Sequence, residues 1–559
     1  MTLISKVVEK RFRSYLDKSE MAFHSYQLEG VLWCVNSEVN PDPRYGNVRG
    51  GFIADEMGLG KTIMMIGTMI CNRLPRTLIV VPVILIDQWF QQILKTTGHK
   101  AIIYHGKSKK GISKSDLENS IIVITSYAHI SINKKKYKKG ETVISKVEQV
   151  SKVEQVSKVE QVSKVEQVSK VEQVSKVEQV SKVEQVSKVE QVSKLHQIGW
   201  SRVVFDEAHH LRNSSTGRNI GSRELKTNII WLVSGTPIQN TRKDFYHLCE
   251  TLRLPSFEPE DIPCIVERFV LRRSKKEVGI DCGELALLQK DVSWKKKNEL
   301  FLSYDVHSYL AMNKEIRATF SDLKDLKDTN FTISPFENKK TLELYLRAKQ
   351  ACILPSLMGK RLSGKDLWKS NYSSKINSVV ECVLTKKDNG NGKIIFCSYR
   401  SEMDVIAKKL IIGGFDEEKI KILDGRLRIS ERKKCLNELY LYSVLIIQIQ
   451  TGCEGLNLQE YFNEIYFVSP NWNPCVEDQA IARCYRLGQK KKVFVYKFVM
   501  NNVEDDTSDL VIDKMKGLNT DLIRLIVDYI PNCNWKWINM DEYIISIQDV
   551  KREMIKEFL

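Results

Sequence analysis

GFIADEMGLGKTIMMI, Gly51 to Ile66, is the stretch from which the fold can be read. An apolar strand runs into a glycine turn, and Lys61 and Thr62 then open a helix. Gly58 and Gly60 let the backbone wrap an anion closely, and the helix N-terminus offers that anion unpaired N–H groups. Lys61 is placed to neutralise β- and γ-phosphates, and the Thr62 hydroxyl to ligand Mg2+. The common phosphate-loop pattern G-x-x-x-x-G-K-[ST] has Gly where this chain has Asp55. A lone GKT is often coincidence; the strand before it and the helix after it lift the phosphate reading above chance.

Outward from this loop, short apolar runs alternate with amphipathic stretches. GFIAD, TLIVVPV, IIVITSY, RVVFDE and IIWLVSGT read as buried strands, with KTIMMIGTMICN and ILIDQWFQQILKT as helices between them. A second series follows Gly392: KIIFCSY, KIKILDG, SVLIIQI, EIYFVSP and VFVYKFV, with helices such as SEMDVIAKKLI and VEDQAIARCYRLG between. Two such alternations predict two α/β domains with parallel sheets. We place their boundaries at 1–240 and 375–500, joined by a mostly helical connection at 241–374 and followed by an acidic, helical tail at 501–559.

Two further elements carry chemistry. In RVVFDEAHH, Arg202 to His210, adjacent carboxylates end an apolar strand, which is costly unless a cation lies near. Asp206 would hold Mg2+, and Glu207 would orient and deprotonate an attacking water. A solvated acidic turn is the bland alternative, and Lys61 in the same domain makes it the weaker one. His209 and His210 are neighbours on a loop and make no metal-ligand set by themselves; they read as coupling or structural residues. In DQAIARCYRLGQ, Asp478 to Gln489, Arg483 and Arg486 stand three apart on one face of a predicted helix. From the second domain they could stabilise charge on a γ-phosphate, whereas spacing alone favours a plain basic helix face.

Length and charge narrow the class. The chain has 559 residues and a formal charge of +17, and its last 59 residues are acidic, so 1–500 carry +22. That excess makes a polyanion a plausible partner. No apolar run is long enough to span a membrane, and the N-terminus lacks the apolar core of a secretory signal, so an intracellular protein is expected. Thirteen cysteines include no CxxC pair, which leaves reduced, mostly buried thiols as the reading and gives no support to a zinc module. From Ser145 to Val192 the hexapeptide SKVEQV repeats eight times, preceded by a lysine-rich run from Lys134. Valine every third residue fits neither helix nor strand, so the insertion at 134–194 reads as a solvated, partly helical surface arm.

In this order the three elements resemble the SWI/SNF-type ATPases of helicase superfamily two. HSYQLEGVLW is similar to the family's glutamine motif and DEMGLGKT to its phosphate loop, which accounts for Asp55. TLIVVPVILIDQW, ITSY, DEAH and SGTPIQN resemble motifs Ia, Ib, II and III, and FVLRRSKKEV the basic segment after them. IIFCSY, LDGRLRISER, QTGCEGLNLQE and SPNWNPCVEDQAIARCYRLGQ are similar to motif IV, the next block, motif V and motif VI. The resemblance runs from about Phe23 to Met500 apart from the repeat. Richness in Lys, Ile and Asn, compact size and the repeat resemble large-DNA-virus members.

The resemblance implies two RecA-like lobes using ATP and Mg2+. It assigns Gln27 to the adenine edge and Asp55, Glu56, Met57, Gly58, Leu59, Gly60, Lys61 and Thr62 to the nucleotide. It gives Thr62 and Asp206 to the metal, and Asp206 and Glu207 to hydrolysis. His209, Ser234, Gly235, Thr236 and Gly455 would couple hydrolysis to movement; Gln479, Arg483 and Arg486 would complete the site from lobe two. Ala482 stands where motif VI usually has Gly, and NNVEDD only loosely echoes the family's Thr-Ile-Glu-Glu. The implied partner is duplex DNA gripped through its phosphates, in the nucleus for a cellular chain or a viral factory or virion for a viral one. Two other readings stay open at this point: a strand-separating helicase or RNA-dependent ATPase, and a nucleic-acid-binding scaffold with a decayed site.

Overall fold

A computed structural model describes residues 3–132, 193–293, 295, 346–347, 349–358, 372–452, 455–500 and 540–558. The SKVEQV repeat, the lysine run before it and NNVEDD lie outside these residues, so the expected surface arm does too. The chain forms two compact units, Met1–Gly279 and Ile280–Phe558.

Unit one contains strands β1 (Arg49–Ile53), β2 (Thr77–Val81), β3 (Ile102–Tyr104), β4 (Ile122–Ser126), β5 (Gly199–Trp200), β6 (Arg202–Asp206), β7 (Lys226–Thr227), β8 (Ile229–Val233) and β9 (Val270–Leu271). Apart from a short β5–β7 pair, they make one parallel sheet in the order β3-β4-β2-β6-β8-β1-β9. β2, β4, β6 and β8 are buried along their whole length, as parallel strands covered on both faces must be. The register sets Ile53 beside Val233 and Asp206 beside Val233. The loops that leave β1, β6 and β8 therefore emerge together at the carboxyl edge of the sheet, where open α/β sheets hold their ligands.

The N-terminal helix Leu3–Lys18 completes this core. Phe12 is fully buried against the helix Lys61–Cys71, so close that a Cβ on Gly67 would lie 2.6 Å from its ring. At the opposite end of the sheet, Glu38 and Arg202 form a bidentate pair at 2.5 Å with both side chains buried. Trp231 Nε1 and Asn72 Nδ2 donate to the same carboxylate at 2.8 and 2.6 Å. Such a pair in the interior is tolerated only when its remaining hydrogen-bonding capacity is met, as it is here.

Unit two has strands β10 (Leu285–Val292), β11 (Gly392–Cys397), β12 (Ile420–Leu423), β13 (Val444–Gln448), β14 (Phe462–Phe467) and β15 (Val493–Met500), all parallel, in the order β10-β15-β14-β11-β13-β12. Both units are RecA-like α/β layers. The helix Met540–Phe558 buries Met540, Ile544 and Ile547 in the core of unit two.

The described residues of the expected helical connection at 241–374 hold helices and two strands, and 296–345 and 359–371 lie outside the described residues. Helices Arg242–Leu252 and Ile262–Phe269 and strand β9 belong to unit one, which runs on past 240 to Gly279. β10 then enters the second sheet along eight residues of β15. Two physical reasons hid these strands. β9 is two residues long, and β10 is an edge strand exposed through its middle, so LALLQKDV lacks the apolar continuity by which buried strands are recognised.

Among the described residues, no helix is long and apolar enough to cross a membrane.

Candidate functional site

The phosphate loop follows β1 directly. Gly58 and Gly60 take φ of +94° and +81°, a region that glycine enters without steric cost, and Gly60 caps the helix that Lys61 starts. A Cβ on Gly60 would stand 2.6 Å from Gln27 Nε2, so the glutamine is packed against the loop itself. Gln27, 4% exposed, donates to the Leu59 carbonyl at 3.3 Å, and the Tyr26 hydroxyl donates to the same oxygen at 3.1 Å. Lys61 Nζ donates to the Asp55 carbonyl at 2.7 Å and reaches the Glu56 carbonyl at 3.3 Å.

Asp55 and Glu56 thus meet the lysine through their backbone. Their carboxylates are engaged elsewhere. Asp55 is fully buried and takes a two-point bond from Arg273, Nε to Oδ1 at 3.1 Å and Nη2 to Oδ2 at 2.6 Å. Arg273 also donates to the Tyr26 carbonyl, with its guanidinium 5.4 Å from the Tyr26 ring centre. The backbone N–H and the ammonium of Lys275 both reach the Glu56 carboxylate, at 2.8 and 3.0 Å. Sequence reading quoted this basic segment without giving its residues a role. The signal available was Asp55 itself, an acid in a loop where glycine is usual.

β6 delivers the acidic pair. Asp206 is 9% exposed; its Oδ2 accepts from Trp89 Nε1 at 2.7 Å and its Oδ1 from the Glu207 N–H at 3.0 Å. The Tyr127 hydroxyl donates to the Asp206 carbonyl at 2.7 Å. Burial, then the charge of Glu207, pushes the Asp206 carboxyl up to about 6, while the Trp89 bond and the Lys61 charge oppose the shift. A divalent cation held there would reverse that balance and keep the carboxylate ionised. Glu207 sits in left-handed backbone, φ +53°, a conformation that costs a non-glycine residue about 1 kcal/mol or more. Trp89 and Tyr127 are supports that sequence reading missed, although both stand inside the stretches quoted as motifs Ia and Ib.

β8 supplies the third loop. His209 Nδ1 lies 3.3 Å from Glu207 Oε2 and 3.4 Å from Ser234 Oγ. Ser234 Oγ accepts from the Thr236 N–H at 3.2 Å, and Gln239 Nε2 donates to Thr236 Oγ1 at 3.4 Å. A Cβ on Gly235 would lie 2.9 Å from Met57 Cγ and 3.3 Å from Lys61 Nζ, so this loop faces the phosphate loop. Glu207, His209, Ser234 and Thr236 form one chain of polar contacts. His209 and His210 stack on each other at 4.7 Å, and among the described residues no cluster of metal-ligating side chains forms around them.

Unit two brings motifs V and VI together. The Leu458 N–H donates to the Arg483 carbonyl at 3.1 Å, Arg486 Nη1 donates to Asn457 Oδ1 at 2.6 Å, and Gln489 Nε2 donates to the Gln459 carbonyl at 2.9 Å. Gln479 is buried, and Gly455 takes φ +72°. One expectation fails: Arg483 and Arg486 do not share a helix face. The helix is Pro474–Ile481, and both arginines lie in the turns after it. Tight bonds close those turns, from Arg483 N to the Ala480 carbonyl and from Cys484 N to the Ile481 carbonyl, while fully buried Cys484 anchors the segment. Ala482 caps the helix at φ −67°, which a residue with a Cβ adopts freely.

Two parallel-sheet units, a phosphate loop with its lysine, and an acid pair one strand removed define a RecA-like nucleotide hydrolase of the helicase kind. Residues 26–262 match the SNF2-related domain and residues 374–488 the helicase conserved C-terminal domain. The chain belongs to the SNF2-type ATPases of helicase superfamily two. It is 25% identical over 508 residues to a global transactivator of Orgyia pseudotsugata multicapsid polyhedrosis virus, covering 85% of this chain and 86% of that one. It is 24% identical to the bovine (Bos taurus) DNA excision repair protein ERCC-6-like, over 85% of this chain and 40% of that protein. To the yeast (Saccharomyces cerevisiae) ISWI chromatin-remodeling complex ATPase ISW2 it is 22% identical, over 88% of this chain and 40% of that one. The chain thus spans about two-fifths of the latter two relatives' length. Among solved structures it is similar to the Sulfolobus solfataricus SWI2/SNF2 ATPase core in complex with dsDNA, with 19% identity, a TM-score of 0.34, and coverage of 94% of this chain and 97% of that one.

Proposed function

We propose that this chain is an ATP-dependent motor that couples hydrolysis to translocation on double-stranded DNA and so remodels DNA or DNA-bound proteins. The observation that carries the reading is the convergence at one sheet edge of Lys61, the Asp206–Glu207 pair and the Ser234–Thr236 loop. The site fits a nucleotide phosphate: left-handed glycines, a helix N-terminus and a lysine within the same loop. A buried carboxylate beside a second one, with Thr62 at the start of the helix, fits a hard divalent cation. Asp206 and Thr62 would hold Mg2+, which supplies charge neutralisation at the phosphates. Glu207 orients water and takes its proton. Arg483 and Arg486 are the cations assigned to charge developing in phosphoryl transfer.

Duplex DNA as the track is supported by relatives whose names place them in DNA repair and chromatin remodelling, and by the +22 carried on residues 1–500. The compartment follows the genome acted on: a viral factory or virion for a viral chain, the nucleus for a cellular one.

The test is steady-state ATP hydrolysis at low salt by wild type and Glu207→Gln, with duplex DNA, single-stranded DNA, RNA or no polymer. Strong stimulation by duplex, lost in the variant and falling steeply with salt, is the expected result. Stimulation by RNA or single strands instead would replace the duplex motor with a strand-separating or RNA-dependent enzyme.

A further inference from the structure

The helix Met540–Phe558 does more than fill the core of unit two. Its apolar residues Met540, Ile544 and Ile547 recur at helical spacing and are buried. Asp541, in its first turn, is fully buried between the Met500 N–H, which donates at 3.0 Å, and the ammonium of Lys375. The helix is therefore fixed in place at its start. One turn beyond Ile544, its polar side chains begin to reach a single neighbouring segment.

That segment is Asn471–Asp478. Gln548 Nε2 donates to the Asn471 carbonyl at 2.5 Å and to Glu477 Oε1 at 2.7 Å. Lys551 Nζ donates to the Trp472 carbonyl at 2.9 Å. Arg552 grips Asp478 with two parallel bonds, 2.9 and 3.0 Å, the planar geometry that fixes direction as well as distance. Positions 548, 551 and 552 share one face of the helix. Glu477 is fully buried; its other oxygen takes the Lys497 ammonium at 2.6 Å, and its Oε1 also accepts from the Asn471 N–H at 2.7 Å. Gln548 therefore completes the coordination of a buried carboxylate, and removing it leaves that charge short of a donor.

Asn471–Asp478 is the lead-in and first turn of the helix that ends at Ile481, and Gln479, Arg483 and Arg486 follow directly. We infer that Gln548, Lys551 and Arg552 are positioning residues for the motif VI arginines, so that unit two presents Arg483 and Arg486 correctly only when the C-terminal helix is docked. The inference rests on the reading of those arginines as hydrolysis cations, and on geometry that stands without it.

The experiment uses the full chain carrying Gln548→Ala with Arg552→Ala, and compares amide hydrogen exchange with ATP turnover on duplex DNA. Exchange across 474–486 should quicken about tenfold while β14 and β15 keep their protection. kcat should fall about tenfold, with the dissociation constant for ATP changed less than twofold because unit one binds it. Arg552→Asp should show the same loss, and adding Asp478→Arg to it should recover most of the wild-type kcat, which a general loss of stability would not allow. Unchanged exchange in 474–486 overturns the inference whatever the turnover. Faster exchange with unchanged kcat overturns it as well, since the arginines would then work unaided. If wild type hydrolyses no ATP with any polymer, the motor reading fails by itself, and the exchange measurement still decides whether this helix holds the segment.

Discussion

Arg273→Ala should damage the nucleotide site of unit one from outside the phosphate loop. The substitution removes a two-point bond to Asp55, a bond to the Tyr26 carbonyl and a guanidinium lying against the Tyr26 ring. Asp55 is 0% exposed, so its carboxylate is left in the interior without the guanidinium that pairs with it. Breaking one side of a buried pair costs about 3–5 kcal/mol. For a unit of this size each kcal/mol moves the melting midpoint by ~2–4 °C, so the unit-one transition should fall by on the order of 10 °C. The loop loses its preorganisation too, and ATP affinity should drop about tenfold, equivalent to ~1.4 kcal/mol. Differential scanning calorimetry and titration with a fluorescent ATP analogue read the two effects. Asp55→Asn added to Arg273→Ala should recover part of the lost stability, because the stranded charge is gone. A midpoint within about 2 °C of wild type for Arg273→Ala, or no recovery in the double variant, would refute the reasoning.

Three other outcomes are expected. Gly60→Ala puts a Cβ 2.6 Å from Gln27 Nε2 in backbone at φ +81°, so ATP binding should weaken more than about tenfold with unchanged circular dichroism, read by nucleotide titration. Glu38→Gln leaves Arg202, 1% exposed, without a counter-charge and should destabilise unit one by about 3–5 kcal/mol, read by denaturant unfolding. Glu402 is fully buried, and burial raises its carboxyl from 4.5 to about 7 against the Ser398 and Tyr399 N–H bonds and the charges of Lys349 and Lys375, which hold it down. The folded state then binds more protons than the unfolded chain between those values. Stability contributed at this site is present at low pH and is lost as pH rises towards about 7, by on the order of 3 kcal/mol. Glu402→Gln should flatten that slope in unfolding midpoints measured from pH 5 to 8.

What was legible in the sequence was local or continuous. The strands of both sheets that are buried on both faces announce themselves as apolar runs, and Lys61, Asp206, Ser234 and Arg483 stand in short blocks at strand ends or just after a helix. The supports were not legible, because each is made across a long loop of chain. Trp89 reaches Asp206 across 117 residues, Arg273 reaches Asp55 across 218, and Gln548 reaches Glu477 across 71. Nothing in periodicity or composition pairs them; only the folded arrangement does. β10 failed for a different reason: an exposed edge strand need not be apolar, so its pattern carries little signal. The turns holding Arg483 and Arg486 failed because VEDQAIARCYRLG has helix-forming residues throughout, and it is anchoring by Cys484 and the Leu458 N–H bond that stops the helix at Ile481.

The strand order also explains why an acid stands where phosphate loops commonly carry glycine. β9 is hydrogen-bonded to β1, and the pairing does not stop at the strand ends. The Ala54 N–H donates to the Leu271 carbonyl at 2.7 Å, and the Glu56 N–H donates to the Arg273 carbonyl at 2.9 Å. The first residues of the phosphate loop and the basic segment thus continue the ladder as partners, with Asp55 facing Arg273 and Glu56 facing Lys275. A glycine at 55 would keep the ladder and the Lys275–Glu56 contacts and lose the ion pair with Arg273. With Asp55 in place, the conformation that receives phosphates depends on a segment that lies within the last seven residues of unit one, Arg273 to Gly279. Asp55, held there by Arg273, is also the residue whose carbonyl accepts from Lys61.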